Sequence, residues 1–358
     1  MENVKMTNPF NIVYGMIPNS LVARNGAFDQ IIDAFTNPDV PAMTYLITGI
    51  RGSGKTVLLR SVAKVLDEKK NWIVADLNPQ GNFISPLAER LYEENHKNKI
   101  DFGWSIDLSL PSVTFHVSKD QTTISAETAI RHFLEELKKR NKRVLITIDE
   151  VNPTKELKYF ANFYQSLIGY GFPVFLLMTG LLENVDSLIS GEATSFLARS
   201  PKIVLEPLDL LSISKSYQKA LGCSSSEAGE LAKLSQGYAF AYQVIGKICF
   251  EQKRAKIDSE LLSKIDNYLA ENGYNVIWKG MSKVEKKICL ALAKSKNGET
   301  QEIVEKTSMS VKNFNNYRLR MIHKGYLLSN GYGRLAFALP RFREYVLEIE
   351  PLLNSNYF

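Results

Sequence analysis

The stretch that decides the fold is Tyr45–Leu66, "YLITGIRGSGKTVLLRSVAKVL". Its first residues, with Thr44 before them, form a short run rich in β-branched and aromatic side chains, which reads as a buried strand. From Lys55 the apolar residues recur with a helical period, and Val57, Leu58, Val62, Val65 and Leu66 share one face. Between strand and helix lies Gly49-Ile50-Arg51-Gly52-Ser53-Gly54-Lys55-Thr56, which fits G-x-x-x-x-G-K-[ST] at each fixed position. The chemistry requires that order. Glycines let the backbone turn tightly, so that successive N–H groups face one phosphate. The following helix adds the partial positive charge of its N-terminus. Lys55 reaches the β- and γ-phosphates, and the Thr56 hydroxyl binds Mg²⁺. The expected nucleotide-binding residues are Gly49, Gly52, Ser53, Gly54, Lys55, Thr56 and Val57, with Arg51 at an outward variable position of the same loop.

Such a site needs a carboxylate for its metal, and "KRVLITIDEVN" (142–152) supplies one. Val144 to Ile148 read as a strand from the middle of a parallel sheet. In such sheets ligands lie beyond the carboxyl ends of the strands. Asp149 is therefore expected to hold Mg²⁺ and Glu150 to act as the general base. A further buried run, "FPVFLLMTGL" (172–181), ends near Thr179, which is expected to point at the γ-phosphate region. Arg199, just ahead of the strand-like "KIVLEPL", can serve as an arginine finger toward a neighbouring copy. The expected catalytic set is Glu150, Lys55, Thr179 and Arg199. Strands near 45, 73, 145 and 175 alternate with helices, which specifies an α/β fold with a doubly wound parallel sheet. An alternating segment at 105–118 reads as a hairpin inserted ahead of the acidic strand.

The chain has 358 residues, 45% hydrophobic and 23% charged, enough for two or three domains. Cys223, Cys249 and Cys289 lie far apart in or beside apolar segments and read as buried thiols. With no signal-peptide pattern and no long apolar span, the expectation is a cytoplasmic protein without membrane contact. Charge is unevenly spread. Residues 282–345 hold 13 Lys/Arg against 5 Asp/Glu, a net of +8 in a chain of net +6. A basic C-terminal module points to a polyanionic partner.

That module reads as three helices, at 281–298, over "TQEIVEKTSMS" and within 310–324, followed by two strands about an Asn330-Gly331 turn. Ser282 is the expected N-cap of the first helix, with Glu285 three residues on. Phe314, Tyr317, Leu319, Met321 and Ile322 supply the third helix's apolar positions. This order is that of a winged helix. Residues 310–334 are the expected contact with double-stranded DNA, through Lys312, Asn315, Asn316, Arg318, Arg320 and Arg334.

Together these segments resemble the AAA+ ATPases, in the branch near the origin-recognition initiators and the STAND-type switch ATPases. The resemblance adds "IPNSLVARNGAFDQII" (17–32), similar to the segment that packs on adenine, with Val22 and Arg24 at family positions and Asn25 where an acidic residue is usual. It also adds "LSQGYAFAYQVIGK" (234–247), which looks like a helical lid. It implies an ATPase core over 1–206, with the adenine-side segment at 1–42, then a lid over 207–278 and a winged helix over 279–358. ATP and Mg²⁺ are the implied ligands, and a homo-oligomer is a possible assembly. One departure matters. After Gly237 the chain reads Tyr238-Ala239-Phe240, without the lid arginine that many of these ATPases carry. That favours slow hydrolysis or a nucleotide-held switch. The alternative is a STAND-type signalling scaffold whose winged helix binds protein.

Overall fold

Five apolar runs pair into one parallel sheet: β1 (Thr44–Thr48), β2 (Trp72–Leu77), β6 (Arg143–Ile148), β7 (Val174–Gly180) and β8 (Lys202–Val204), in the order β2-β6-β7-β1-β8. The computed structural model describes residues 7–13, 15–37, 42–97, 104–107, 114–117 and 122–353. Every residue of β1 and β7 is buried, as are all but the first of β6, which is why these strands read as uninterrupted apolar runs. Parallel neighbours cannot be joined by tight turns. The crossovers are made by α2 (Lys55–Asp67), α3 (Ile84–Lys97), α4 (Ala126–Lys139), α5 (Lys155–Gly169) and α6 (Leu182–Ile189), with α1 (Asn25–Thr36) ahead of the first strand. A 3₁₀ segment, Glu192–Arg199, precedes β8. β6 and β1 both flank β7, so Ile148 and Thr48 end on either side of Thr179.

Side chains set these helices. Ser125 and Thr154 cap α4 and α5 by accepting backbone N–H bonds. The guanidinium of Arg143 donates to the carbonyls of Phe35 (2.9 Å) and Thr36 (3.3 Å) and lies over the rings of Trp72 and Phe175, which fastens the end of α1. The hairpin expected at 105–118 is present as antiparallel β3 (Trp104–Asp107) and β4 (Thr114–Val117), and gains a third strand, β5 (Thr122–Ile124).

The chain divides into two compact units. One comprises Asn25–Thr48 and Lys55–Val204, the sheet and its helices. The other comprises residues up to Arg24, Gly49–Gly54 and everything from Leu205 onward. Its helices are α7 (Leu210–Leu221), α8 (Ser225–Ser235), α9 (Ala239–Gln252), α10 (Ser259–Leu269), α11 (Asn275–Gly280), α12 (Lys283–Ala293), α13 (Thr300–Thr307), α14 (Val311–His323) and α15 (Phe342–Leu353), with an antiparallel pair β9 (Leu327–Ser329) and β10 (Leu335–Phe337) between the last two. The N-terminal segment is stitched to α9. Asn11 N–H donates to Gln243 (3.0 Å), whose amide donates to Ser20 O (2.8 Å), and the Phe10 ring sits where a Cβ on Gly246 would be.

The three helices and strand pair lie in the expected order, and Ser282 and Glu285 form a reciprocal capping box. Two details differ. The strands are joined by Asn330–Arg334, closed by Asn330 N–H to Arg334 O (3.0 Å) with Gly331 and Gly333 at positive φ, not by a two-residue Asn-Gly turn. Leu319, expected in the core, is 58% exposed, because Phe314 and Met321 already fill the inward face of α14. All three cysteines are free, and burial pushes the Cys249 thiol up to about 12. Among the described residues no helix is long and apolar enough to cross a membrane.

Candidate nucleotide-binding site

At the carboxyl end of β6 the two acidic residues take different environments. The Thr56 hydroxyl donates to Oδ2 of Asp149 at 2.8 Å, and the Thr179 hydroxyl donates to Oδ1. Each carboxylate oxygen is thus held by a threonine, one from the start of α2 and one from β7. Thr179 also accepts the N–H of Glu150 at 3.0 Å. It is fully buried. In place of a hydroxyl presented to the γ-phosphate region, the structure gives one committed to Asp149 and to the backbone of Glu150. The reason is its register, one residue before the end of the central strand. Glu150 is exposed at φ +57, a conformation that costs a non-glycine residue free energy and clusters at functional sites.

Lys55 is 7% exposed, unusually buried for a lysine. Arg199 ends the 3₁₀ segment and is exposed. The sequence reading missed Asp76. It lies opposite Thr147 in the β2–β6 register and accepts that hydroxyl at 2.8 Å. The available signal was a carboxylate inside the apolar run "WIVADL".

In the other unit the loop Gly49–Gly54 is gripped through its carbonyls. Tyr238 Oη donates to Arg51 O at 2.7 Å, Phe240 N–H to Gly52 O at 3.1 Å, and Arg24 Nη2 to Ser53 O at 2.9 Å. Arg24 also donates to Glu206 O. Burial lowers its pKa, but guanidinium stays charged in proteins. The Arg51 side chain is exposed, as its outward position requires. Val22, expected on the adenine side, is buried in the apolar cluster that includes Phe10, Tyr217 and Tyr242. Gly52 (φ +76) and Gly54 (φ +94) adopt backbone that favours glycine, and a Cβ on Gly52 would lie 2.3 Å from Tyr238 Oη. Ser53 Oγ is buried without a hydrogen-bond partner, an orphaned polar atom inside the loop. These features fit an anion cradle. The paired oxygens of Thr56 and Asp149 are the hard donors that Mg²⁺ prefers.

On α14, Lys312, Asn313 and Asn316 are exposed, and Asn315 and Arg318 are half-buried. Two of the expected cations, Arg320 and Arg334, are half exposed and lie beside carboxylates of the protein itself, as does Lys324. Lys324 lies 3.2 Å and Arg320 3.6 Å from the buried carboxylate of Glu285, and Arg334 lies 3.4 Å from Glu299. A buried carboxylate requires counter-charge, which draws the end of α14 inward.

Residues 36–171 match the family described as an ATPase domain predominantly from Archaea. That match begins ahead of β1 and ends after α5. Residues 271–346 match a second family, described only as a domain of unknown function, DUF8462. A curated relative, an uncharacterized ATP-binding protein of Methanocaldococcus jannaschii, is 26% identical over 148 residues, spanning 37% of this chain and 40% of that protein. Among solved structures, the Walker-type ATPase of Pyrococcus abyssi superposes with a TM-score of 0.64 at 13% identity, covering 91% of this chain and 96% of its own. The ORC2 protein of Aeropyrum pernix, in its ADPNP–ADP complexes, gives 0.60 at 14% identity, covering 95% and 97%. The fold of this chain is therefore similar to that of these archaeal Walker-type and ORC proteins.

Proposed function

We propose that this protein is an ATP-dependent switch in which nucleotide at the glycine-rich loop biases DNA binding or assembly through the C-terminal module. The contact between Ile50 and Gly325 carries the reading. A Cβ on Gly325 would lie 1.7 Å from Cγ2 of Ile50, so a residue of the nucleotide loop rests directly on the turn that ends α14. That helix bears Lys312, Asn315, Asn316 and Arg318. A loop that changes shape with its nucleotide moves the foot of the helix expected to meet DNA. The nucleotide complexes of the similar ORC2 protein support adenine nucleotides as the ligand.

In this reading residues 207–278 form the lid and 279–358 the winged helix. Thr56 and Asp149 hold Mg²⁺, which neutralises the charge of the phosphates. Lys55 binds the phosphates and Glu150 activates water. Hydrolysis is slow, since the lid carries Tyr238 and Phe240 where an arginine would assist. Arg199, exposed, serves a neighbouring copy in a homo-oligomer.

The test is duplex affinity at low salt, measured with ATP and with ADP, for the wild type and for Ile50→Ala. Nucleotide-dependent affinity that is lost in Ile50→Ala is the expected result; no duplex binding at low salt removes the DNA reading. A second reading has its own observation. Val311, Leu319 and Tyr332 are 63%, 58% and 105% exposed on α14 and the hairpin turn. Exposed apolar groups in this module suit a protein partner, which a pull-down without duplex binding would favour.

A further inference from the structure

Three consecutive carbonyls of the nucleotide loop, those of Arg51, Gly52 and Ser53, each accept a hydrogen bond from a residue outside the loop: Tyr238, Phe240 and Arg24. In a trans peptide the carbonyl and the N–H of the next residue point in opposite directions. Fixing these carbonyls therefore turns the N–H groups of Gly52, Ser53 and Gly54 to the opposite side. The Ser53 N–H closes a turn on Ile50 O at 3.2 Å, which leaves those of Gly52 and Gly54 as the amides the clamp aims. A phosphate cradle is built from such amides, and glycine peptides turn over easily unless something holds them.

We infer that Tyr238, with Arg24, is a positioning residue for phosphate binding: it pins the loop's carbonyls and so preorganises the loop's amides for the nucleotide. The inference rests on the glycine-rich loop being the nucleotide site. It explains why the first residue after Gly237 is a tyrosine in a lid that lacks an arginine. The tyrosine acts on the loop's shape, where an arginine acts on the phosphate. Gly52 is part of the same fit, because any side chain there displaces the Tyr238 hydroxyl. Burial pushes the Tyr238 phenol far up, so the hydroxyl remains a donor throughout the working pH range.

The decisive variant is Tyr238→Phe, which keeps the ring and removes only the donor. Titration with fluorescent ADP and ATP analogues, and with adenosine as the phosphate-free control, separates positioning from general structure. Phosphate-bearing ligands are expected to bind about five- to tenfold more weakly, the worth of one hydrogen bond, with adenosine affinity unchanged and Tm lowered by no more than one hydrogen bond accounts for. Arg24→Lys, which keeps the charge but loses the fork, should weaken the same ligands, and provides the test should Tyr238→Phe fold poorly. Lys55→Ala is the control for the site itself. Wild-type ADP affinity in Tyr238→Phe alongside lost affinity in Lys55→Ala overturns the clamp and leaves the site intact. Wild-type affinity in Lys55→Ala as well overturns the site, and the clamp with it. Equal losses for adenosine and ADP assign Tyr238 to general packing and also overturn the clamp.

Discussion

The hydroxyl of Thr56 donates to Asp149 across 2.8 Å, although 93 residues of chain separate them. The strand–loop–helix motif and the acidic strand end are thereby parts of one oxygen cluster. Removing either partner should abolish magnesium-dependent binding while the fold persists. Thr56→Ala and Asp149→Asn are expected to retain the wild-type far-UV spectrum and to lose the gain in Tm on adding Mg·ATP. An undiminished gain would sever this cluster from the nucleotide.

Thr179→Val is nearly isosteric and removes a hydroxyl that serves Asp149 and Glu150 together. The Oδ1 of half-buried Asp149 and the N–H of Glu150 lose this partner, at a cost of about 1–3 kcal/mol in unfolding free energy. Turnover should fall more than ATP affinity, because the hydroxyl orients the acidic pair and is buried away from solvent. Denaturant titration and steady-state ATPase assays check the two halves. A fall in affinity with normal turnover would place Thr179 at the ligand after all.

Glu150→Gln should bind ATP as the wild type does and turn it over at a small fraction of the rate, if the carboxylate is the base. Glu150→Gly gives a second handle. The left-handed backbone at this position is strained for glutamate and natural for glycine. This variant should remain within about 1 kcal/mol of wild-type stability while being inactive. Normal hydrolysis by either protein would show that another group activates water.

Glu285 predicts a pH dependence. Burial pushes its carboxyl up, but the Ser282 hydrogen bonds and the bond and charge of Lys324 outweigh this and hold it below the usual glutamate value. A depressed folded-state pKa contributes stability above the unfolded value of about 4.3, lost as pH falls through the lower folded value. Denaturant titrations between pH 7 and 3 should show this loss and Glu285→Gln should flatten it. An identical pH profile in the variant would count against the carboxylate.

If α14 meets duplex DNA, Lys312→Ala should weaken binding evenly across sequences and lower the slope of log affinity against log salt by about one. Arg320→Ala should change stability as well, since Arg320 lies beside buried Glu285. An unchanged slope for Lys312→Ala moves the footprint elsewhere.

Much of this protein is legible in its sequence, because short-range rules govern those features. Apolar period places the sheet strands near 45, 73, 145 and 175, the spacing of glycines with Lys55 and Thr56 marks the loop, and Ser282 with Glu285 announces a capping box. Those signals lie within a few residues of the feature they specify. Only the tertiary structure decided that Thr179 serves Asp149, that Asp76 pairs with Thr147, that Leu319 faces solvent, and that Tyr238, Arg24 and Gly325 converge on the loop between β1 and α2. Each depends on strand order or on packing between segments up to 275 residues apart, as from Ile50 to Gly325. Such pairings are fixed by how the buried faces fit together, and local periodicity carries no record of that fit.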